Sequence, residues 1–171
     1  MRRVFFVVFF LFIFSSGNVF AESNYVLPYP SFMPGSKFYK LQEVKDSALK
    51  YWYFGNFGQF TYNLKQADKY LVEAKILFEY KQYLLAYDAL QKSNKYFLNA
   101  PDYLDAAKKE NKNISENFNL LQEASQKHIE ILESLKKELP TNVTWRPEKS
   151  ASTELNLSDL INNSIKIRMA I

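Results

Sequence analysis

The sequence predicts an all-α protein, a helical bundle of three to four main helices behind an N-terminal proline-rich extended strap. Three observations predict it. Apolar residues recur every three or four positions through most of residues 37–139, the spacing of one helix face. Only 4 glycines interrupt 171 residues, a composition suited to long helices. No cysteine is present, so no disulfide framework can substitute for a packed core.

The chain opens like an exported protein. Arg2 and Arg3 form a short positive region, Val4–Phe14 is an unbroken apolar run, and Val19-Phe20-Ala21 fits a signal peptidase site. Eleven apolar residues rise about 16 Å as a helix. That is about half of a ~30 Å hydrocarbon core. Residues 1–21 are therefore expected to be a cleaved signal peptide, with an uncleaved anchor as the alternative. The expected location is periplasmic, extracellular or cell-surface. The 150 residues from Glu22 to Ile171 suit one domain. Without Arg2 and Arg3 the net charge falls from +4 to +2, too small to suggest a nucleic-acid partner.

Residues 22–36 read as the strap. Pro28, Pro30 and Pro34 stiffen it, and Leu27, Tyr29, Phe32 and Met33 are expected to lie along a groove of the bundle. Pro34-Gly35 predicts a turn and Ser36 a helix N-cap. A first helix is expected over Lys37–Phe54, with Phe38, Leu41, Lys45, Ala48 and Trp52 as its inward stripe. Gly55–Gly58 breaks it. A second helix is expected over Gln59–Tyr80, with Asn56 and Gln59 as a capping box. Phe60, Leu64, Ala67, Leu71, Ala74 and Phe78 face inward, and Lys65, Asp68, Lys69, Glu73 and Lys75 fall mostly on the other side.

A change of stripe phase at Tyr80-Lys81-Gln82 predicts a turn, then a third helix over Gln82–Leu98 with Tyr83, Ala86, Tyr87, Leu90 and Phe97 inward. Asn99-Ala100-Pro101-Asp102 reads as the start of a fourth helix running to Leu139, with a break admissible near Lys108–Ser115. Its residues Ile114, Leu121, His128 and Leu135, with Phe118, Ser125, Leu132 and Leu139, make a heptad seam with two polar members, suited to a coiled coil. The helical bundle domain is thus placed at residues 37–139. Residues 140–154 read as a linker, and residues 155–171 as a short C-terminal helix or a frayed tail.

Leu27, Pro28, Tyr29, Pro30, Met33, Pro34, Ser36, Tyr39, Lys40 and Leu41 resemble an opening motif close to L-P-Y-P-G-x-L-P-D-S-P-x-Y-x-L-K. That motif marks a domain-of-unknown-function family of exported bacterial helical proteins. Ala67–Lys75 is similar to the family's A-D-K-R-L-x-E-A-K, and Lys127–Leu132 to its K-H-x-E-x-L. The resemblance implies an exported helical domain. It brings no catalytic residues.

His128 is the only histidine. Ser125 lies one helical turn before it, and Glu123 and Glu130 are near in sequence, so a nucleophile and base pair can be drawn. Mid-helix amides are already hydrogen-bonded and offer no oxyanion hole. The favoured reading is a seam histidine bonded to a neighbouring helix, ahead of a pH-sensing role and of catalysis. One histidine and no cysteine exclude the usual structural zinc sets. No catalytic, cofactor-binding or metal residues are assigned, and no cofactor is expected. The block Tyr51–Phe60 has six aromatics around two glycines. It reads as a packed corner between the first two helices, or as an exposed platform for sugar rings, a peptide or the membrane interface.

The expected function is a non-enzymatic protein-interaction or structural module of the bacterial cell envelope, with a protein or peptide partner. The first alternative is a glycan- or peptide-binding protein using Tyr51–Phe60, and the second an enzyme centred on His128. Peripheral membrane contact and self-association through the heptad seam remain open.

Overall fold

Residues 24–29, 32–146 and 151–171 are described by a computed structural model. The apolar run Val4–Phe14, the cleavage site after Ala21, and Pro30 and Ser31 of the strap lie outside them. The all-α bundle is as expected: helices α1 (Tyr39–Leu49), α2 (Gly55–Glu79), α3 (Tyr83–Lys109), α4 (Ser115–Glu138) and α5 (Leu157–Met169). Strands β1 (Asn142–Trp145) and β2 (Thr153–Asn156) pair antiparallel just before α5, with Val143 opposite Leu155.

Helices α2 and α3 form a long hairpin, and α4 and α5 close it. The predicted α2 stripe, Phe60, Leu64, Ala67, Leu71, Ala74 and Phe78, is buried throughout. The turn at Tyr80-Lys81-Gln82 is also as read. Lys81 takes a left-handed φ of 58°, Lys81 N–H donates to the Phe78 carbonyl, and Gln82 N–H to that of Leu77. Asn111 repeats this at the end of α3, with Lys112 N–H donating to the Ala107 carbonyl. Both are helix stops in which a left-handed residue lets the next amide reach back.

Several expectations are corrected. Asn99-Ala100-Pro101 does not start a helix, because α3 runs straight through Pro101 to Lys109. Ala100 and Leu104, on either side of Pro101, are buried, and that packing outweighs the one backbone hydrogen bond that proline removes. The real break is the one admitted near Lys108–Ser115, where Asn113 Oδ1 accepts from Ser115 N–H. Asn56 and Gln59 form no capping box. The Gln59 amide instead donates to the carbonyls of Lys50 and Tyr53, closing the loop after α1. Within the stretch read as a linker, Asn142–Trp145 is a strand paired with Thr153–Asn156, and of the two readings of residues 155–171 the short C-terminal helix is the one that forms, docked on the bundle. Leu157, Leu160, Ile161 and Ile165 are buried, and Asn156 caps the helix by accepting from Asp159 N–H.

Five of the eight heptad residues turn into this chain's own core. Leu121, Ser125, His128, Leu132 and Leu135 are buried in this chain's own interior. The strap is half as expected. Met33 packs on the core and Tyr25 reaches the bundle interior, while Tyr29 and Phe32 point to solvent. The Pro34-Gly35 turn forms, with Gly35 at φ 94° and Ser36 N–H donating to the Met33 carbonyl.

The largest correction concerns α1. Its supposed inward stripe faces out: Phe38, Leu41, Lys45, Ala48 and Trp52 are exposed, with Val44 beside them. The helix rests on the bundle by its polar side. Tyr39 donates to Glu73, Lys69 bonds Asp46, Lys92 bonds Glu43, and the Tyr62 hydroxyl donates to the Asp46 carbonyl.

The core has two apolar compartments. One gathers Leu71, Ala74, Leu77 and Phe78 with Ala86, Leu90, Leu132, Leu135, Ile161 and Ile165. The other gathers Phe60, Leu64 and Ala67 with Phe97, Ala100, Leu104, Leu121 and Ala124. Asp68, Ser93, Asn94, Ser125 and His128 fall between them along the helices.

Two glycine substitutions are expected to have opposite signs. A Cβ on Gly58 would lie 2.8 Å from the Tyr53 carbonyl carbon. Gly58→Ala should therefore destabilise by about 1–3 kcal/mol. Lys81→Gly relieves a left-handed lysine and should stabilise by about 0.5–1 kcal/mol. Urea unfolding midpoints of the two variants check both.

Candidate functional site

Asp68 follows Leu64 by four residues and precedes Leu71 by three, so helical spacing carries it onto the buried side of α2. Arg168 follows Ser164 by four and Ile165 by three, and is likewise carried inward on α5. His128 of α4 lies between the two. Its Nε2 is 2.7 Å from Asp68 Oδ1, and its Nδ1 is 3.2 Å from Arg168 Nε.

The tautomer follows from the partners. The Arg168 Nε–H can only donate, so His128 Nδ1 accepts, and the ring proton is on Nε2, donated to Asp68. The imidazole is neutral between one carboxylate and one guanidinium. A second ring proton would set Nδ1–H against the Arg168 N–H.

The remaining valences of the layer are filled from every element around it. Asp68 Oδ2 accepts from the Tyr25 hydroxyl at 2.7 Å. Arg168 donates to Asn94 Oδ1 at 2.5 Å, to the Ser164 carbonyl at 3.0 Å and to Ser93 Oγ at 2.8 Å. Ser93 donates onward to the Ala67 carbonyl, and Asn94 to Ser164 Oγ. The Phe97 ring lies 4.9 Å from the guanidinium carbon and 5.2 Å from the imidazole centre.

Burial holds the His128 imidazole below its ordinary 6.5. The hydrogen bond and charge of Asp68 oppose this, and the charge of Arg168 adds to it. Burial pulls the Arg168 guanidinium down to about 9, against the attraction of Asp68, which leaves it charged at neutral pH.

The pairing of Ser125 with His128 does not form. Ser125 Oγ donates to the Arg168 carbonyl at 2.6 Å. The orienting carboxylate is Asp68, not Glu123 or Glu130, both of which are exposed. His128 is 0 % exposed and both of its ring nitrogens are engaged within the bundle. Among the described residues, no three His, Asp or Glu side chains converge to hold a metal ion. Asp68 and Glu73, expected mostly on the outward side of α2, are buried, and Arg168, Asn94 and Tyr25 carried no expectation; the spacing of Asp68 from Leu64 and Leu71 is the signal that points inward.

The second candidate lies under α1. A cleft of about 460 Å³ is lined by Tyr39, Glu73, Lys92 and Lys95 among others. A neighbouring one of about 620 Å³ is lined by Asp46, Gln66, Tyr70, Lys92 and Tyr96 among others. Tyr70 stacks on Tyr96 at 5.7 Å, and Tyr62 meets Tyr96 edge-on at 6.0 Å. Glu73 is buried; one oxygen accepts from Tyr39 and the other has no hydrogen-bond partner. Burial pushes its carboxyl above the ordinary 4.5, against the Tyr39 hydrogen bond and the charges of Lys69 and Lys92.

The third candidate is the outer surface of α1 and the loop after it. The block Tyr51–Phe60 divides there: Tyr51, Trp52 and Phe54 are exposed, and Phe60 is fully buried. The packed corner expected for the whole block holds only for its end. Compared with family models, curated proteins and solved structures, the chain gives no match to any of them.

Three predictions concern buried ionisable groups. His128 stays neutral in the fold and takes a proton in the unfolded chain below about 6.5, so unfolding is favoured as pH falls from there toward its folded value. Glu73 has the opposite sign: its contribution is fully present below 4.5 and is lost as pH rises through its folded value. The difference between wild type and the non-titrating His128→Gln in urea midpoints across pH isolates the histidine, and the variant is expected to lose less stability below 6.5. Arg168→Met removes the charge that balances Asp68 across His128 and leaves the His128 Nδ1 acceptor and Asn94 Oδ1 without their donor, which should cost about 3–5 kcal/mol. The Asp68→Asn, Arg168→Met double variant should recover part of that loss in a double-mutant cycle.

Proposed function

We propose that the protein is a non-enzymatic docking module of the bacterial cell envelope and that α1 with its following loop is the docking surface. One observation carries the reading. The helix bonds to the bundle through its polar side and turns its apolar side to solvent, with Leu41 67 %, Val44 66 % and Trp52 78 % exposed. A surface helix normally does the reverse, and a continuous exposed apolar stripe is a mark of an interaction site. The export signal read at residues 1–21 supports the location, and the resemblance of the Leu27–Leu41 motif supports the class. The sealed surroundings of His128 favour this reading over chemistry at that residue.

A second reading, binding of a glycan or peptide, is favoured by the tyrosine-lined clefts beneath α1. There Glu73 and Gln66 each hold a buried acceptor oxygen without a partner, which suits hydroxyl or amide donors.

The Leu41→Ser, Val44→Ser, Trp52→Ser variant separates docking from folding. These side chains are exposed, so its thermal midpoint should stay within a few degrees of wild type. Its sedimentation with isolated cell envelopes should fall by at least about tenfold, since burial of each lost side chain would contribute about 1.5–3 kcal/mol. Unchanged sedimentation would refute docking through α1.

A further inference from the structure

We infer that the partner of α1 is the surface of an anionic phospholipid bilayer. This rests on the docking reading and names its occupant. The argument is from charge. α1 and its flanks carry four exposed lysines, Lys37, Lys40, Lys45 and Lys50. Both acids of the helix are paired with lysines of the bundle. Asp46 is buried and paired with Lys69 at 2.5 Å, and Glu43 is drawn to Lys92 at 3.0 Å on α3. Asp46 is withdrawn from solvent and Glu43, still 38 % exposed, is neutralised by Lys92, so both acids of α1 are paired while its four lysines stay exposed.

That is the composition of a helix lying in a membrane interface: apolar side chains below, lysines at headgroup level. A protein partner for so apolar a strip would more often bring a desolvated groove, in which four unpaired lysines would be a cost. At an anionic bilayer each lysine is attracted without leaving water. The loop after α1 continues the pattern. Tyr51, Trp52 and Phe54 are all exposed, and Trp and Tyr favour the level where acyl chains meet headgroups. No helix of the described residues is long and apolar enough to cross a membrane. Contact through α1 is therefore contact along the surface, with the helix axis parallel to the bilayer and the bundle above it.

Trp52 supplies a local probe. The chain has two tryptophans, and Trp145→Phe in β1 leaves Trp52 alone. The full chain carrying Trp145→Phe is mixed with phosphatidylglycerol or phosphatidylcholine vesicles whose acyl chains are brominated near the headgroup. With phosphatidylglycerol, Trp52 emission is expected to shift to the blue and to be quenched. With phosphatidylcholine the same change should need far more lipid. Adding Lys37→Gln, Lys40→Gln, Lys45→Gln and Lys50→Gln should weaken the response to phosphatidylglycerol by roughly 100-fold or more. The readout reports where Trp52 lies, so attachment through residues 1–21 alone does not produce it. Trp52 emission that neither shifts nor quenches on either lipid overturns the inference. Equal quenching on both lipids, indifferent to the four lysines, overturns the anionic assignment. If the serine variant has lost envelope sedimentation while vesicles leave Trp52 unmoved, docking stands and its partner is a protein.

Discussion

A neutral imidazole held between one buried carboxylate and one buried guanidinium is the constraint on which the rest of the structure depends. Neither Asp68 nor Arg168 could be buried alone, because an unpaired ion in a low-dielectric interior is strongly disfavoured. With His128 between them, and Tyr25, Ser93, Asn94 and Ser164 filling the remaining positions, every element that meets the layer meets it at one register. Sliding any helix by one turn would leave a charge without its partner. Apolar compartments tolerate such shifts far better, since Leu can replace Leu. The polar layer therefore specifies the arrangement that the two apolar compartments stabilise.

The same layer explains why α5 is part of the bundle. Read as apolar content alone, residues 155–171 offer a short helix of modest hydrophobicity. Arg168 makes it indispensable, because it brings the only cation in the layer and spends four donor contacts on three elements. The β1–β2 hairpin then has a mechanical task. It returns the chain so that α5 can insert between α3 and α4, with Leu155 buried at the join.

Much of this was legible in the sequence, and what was not has a definite physical reason. The stripe of α2, the turn at Lys81 and the inward set of α3 follow from spacing, because those helices have one apolar side and bury it. Asp68 and Glu73 were grouped with the outward side of α2 and are buried instead, because a charged residue beside an apolar stripe is ordinarily assigned to solvent and only its distant partners show otherwise. Pro101 misled because local chemistry favours a helix start at a site where packing on both sides carries the helix through. For α1, periodicity correctly grouped Phe38, Leu41, Ala48 and Trp52 on one side. It could not tell which way that side faces. That is set by the ion pairs of Glu43 and Asp46 with residues 49 and 23 positions away, which no local pattern encodes.

The buried layer also orders events in time. A chain emerging amino end first presents Asp68, then His128 60 residues later, and Arg168 a further 40 residues on. Until that last side chain arrives, the carboxylate on α2 has no countercharge, and a nascent hairpin that closed over it would trap a bare anion. Burial of Asp68 by a closed α2–α3 hairpin is therefore disfavoured until α5 is in place, which ties completion of the core to the last helix of the chain.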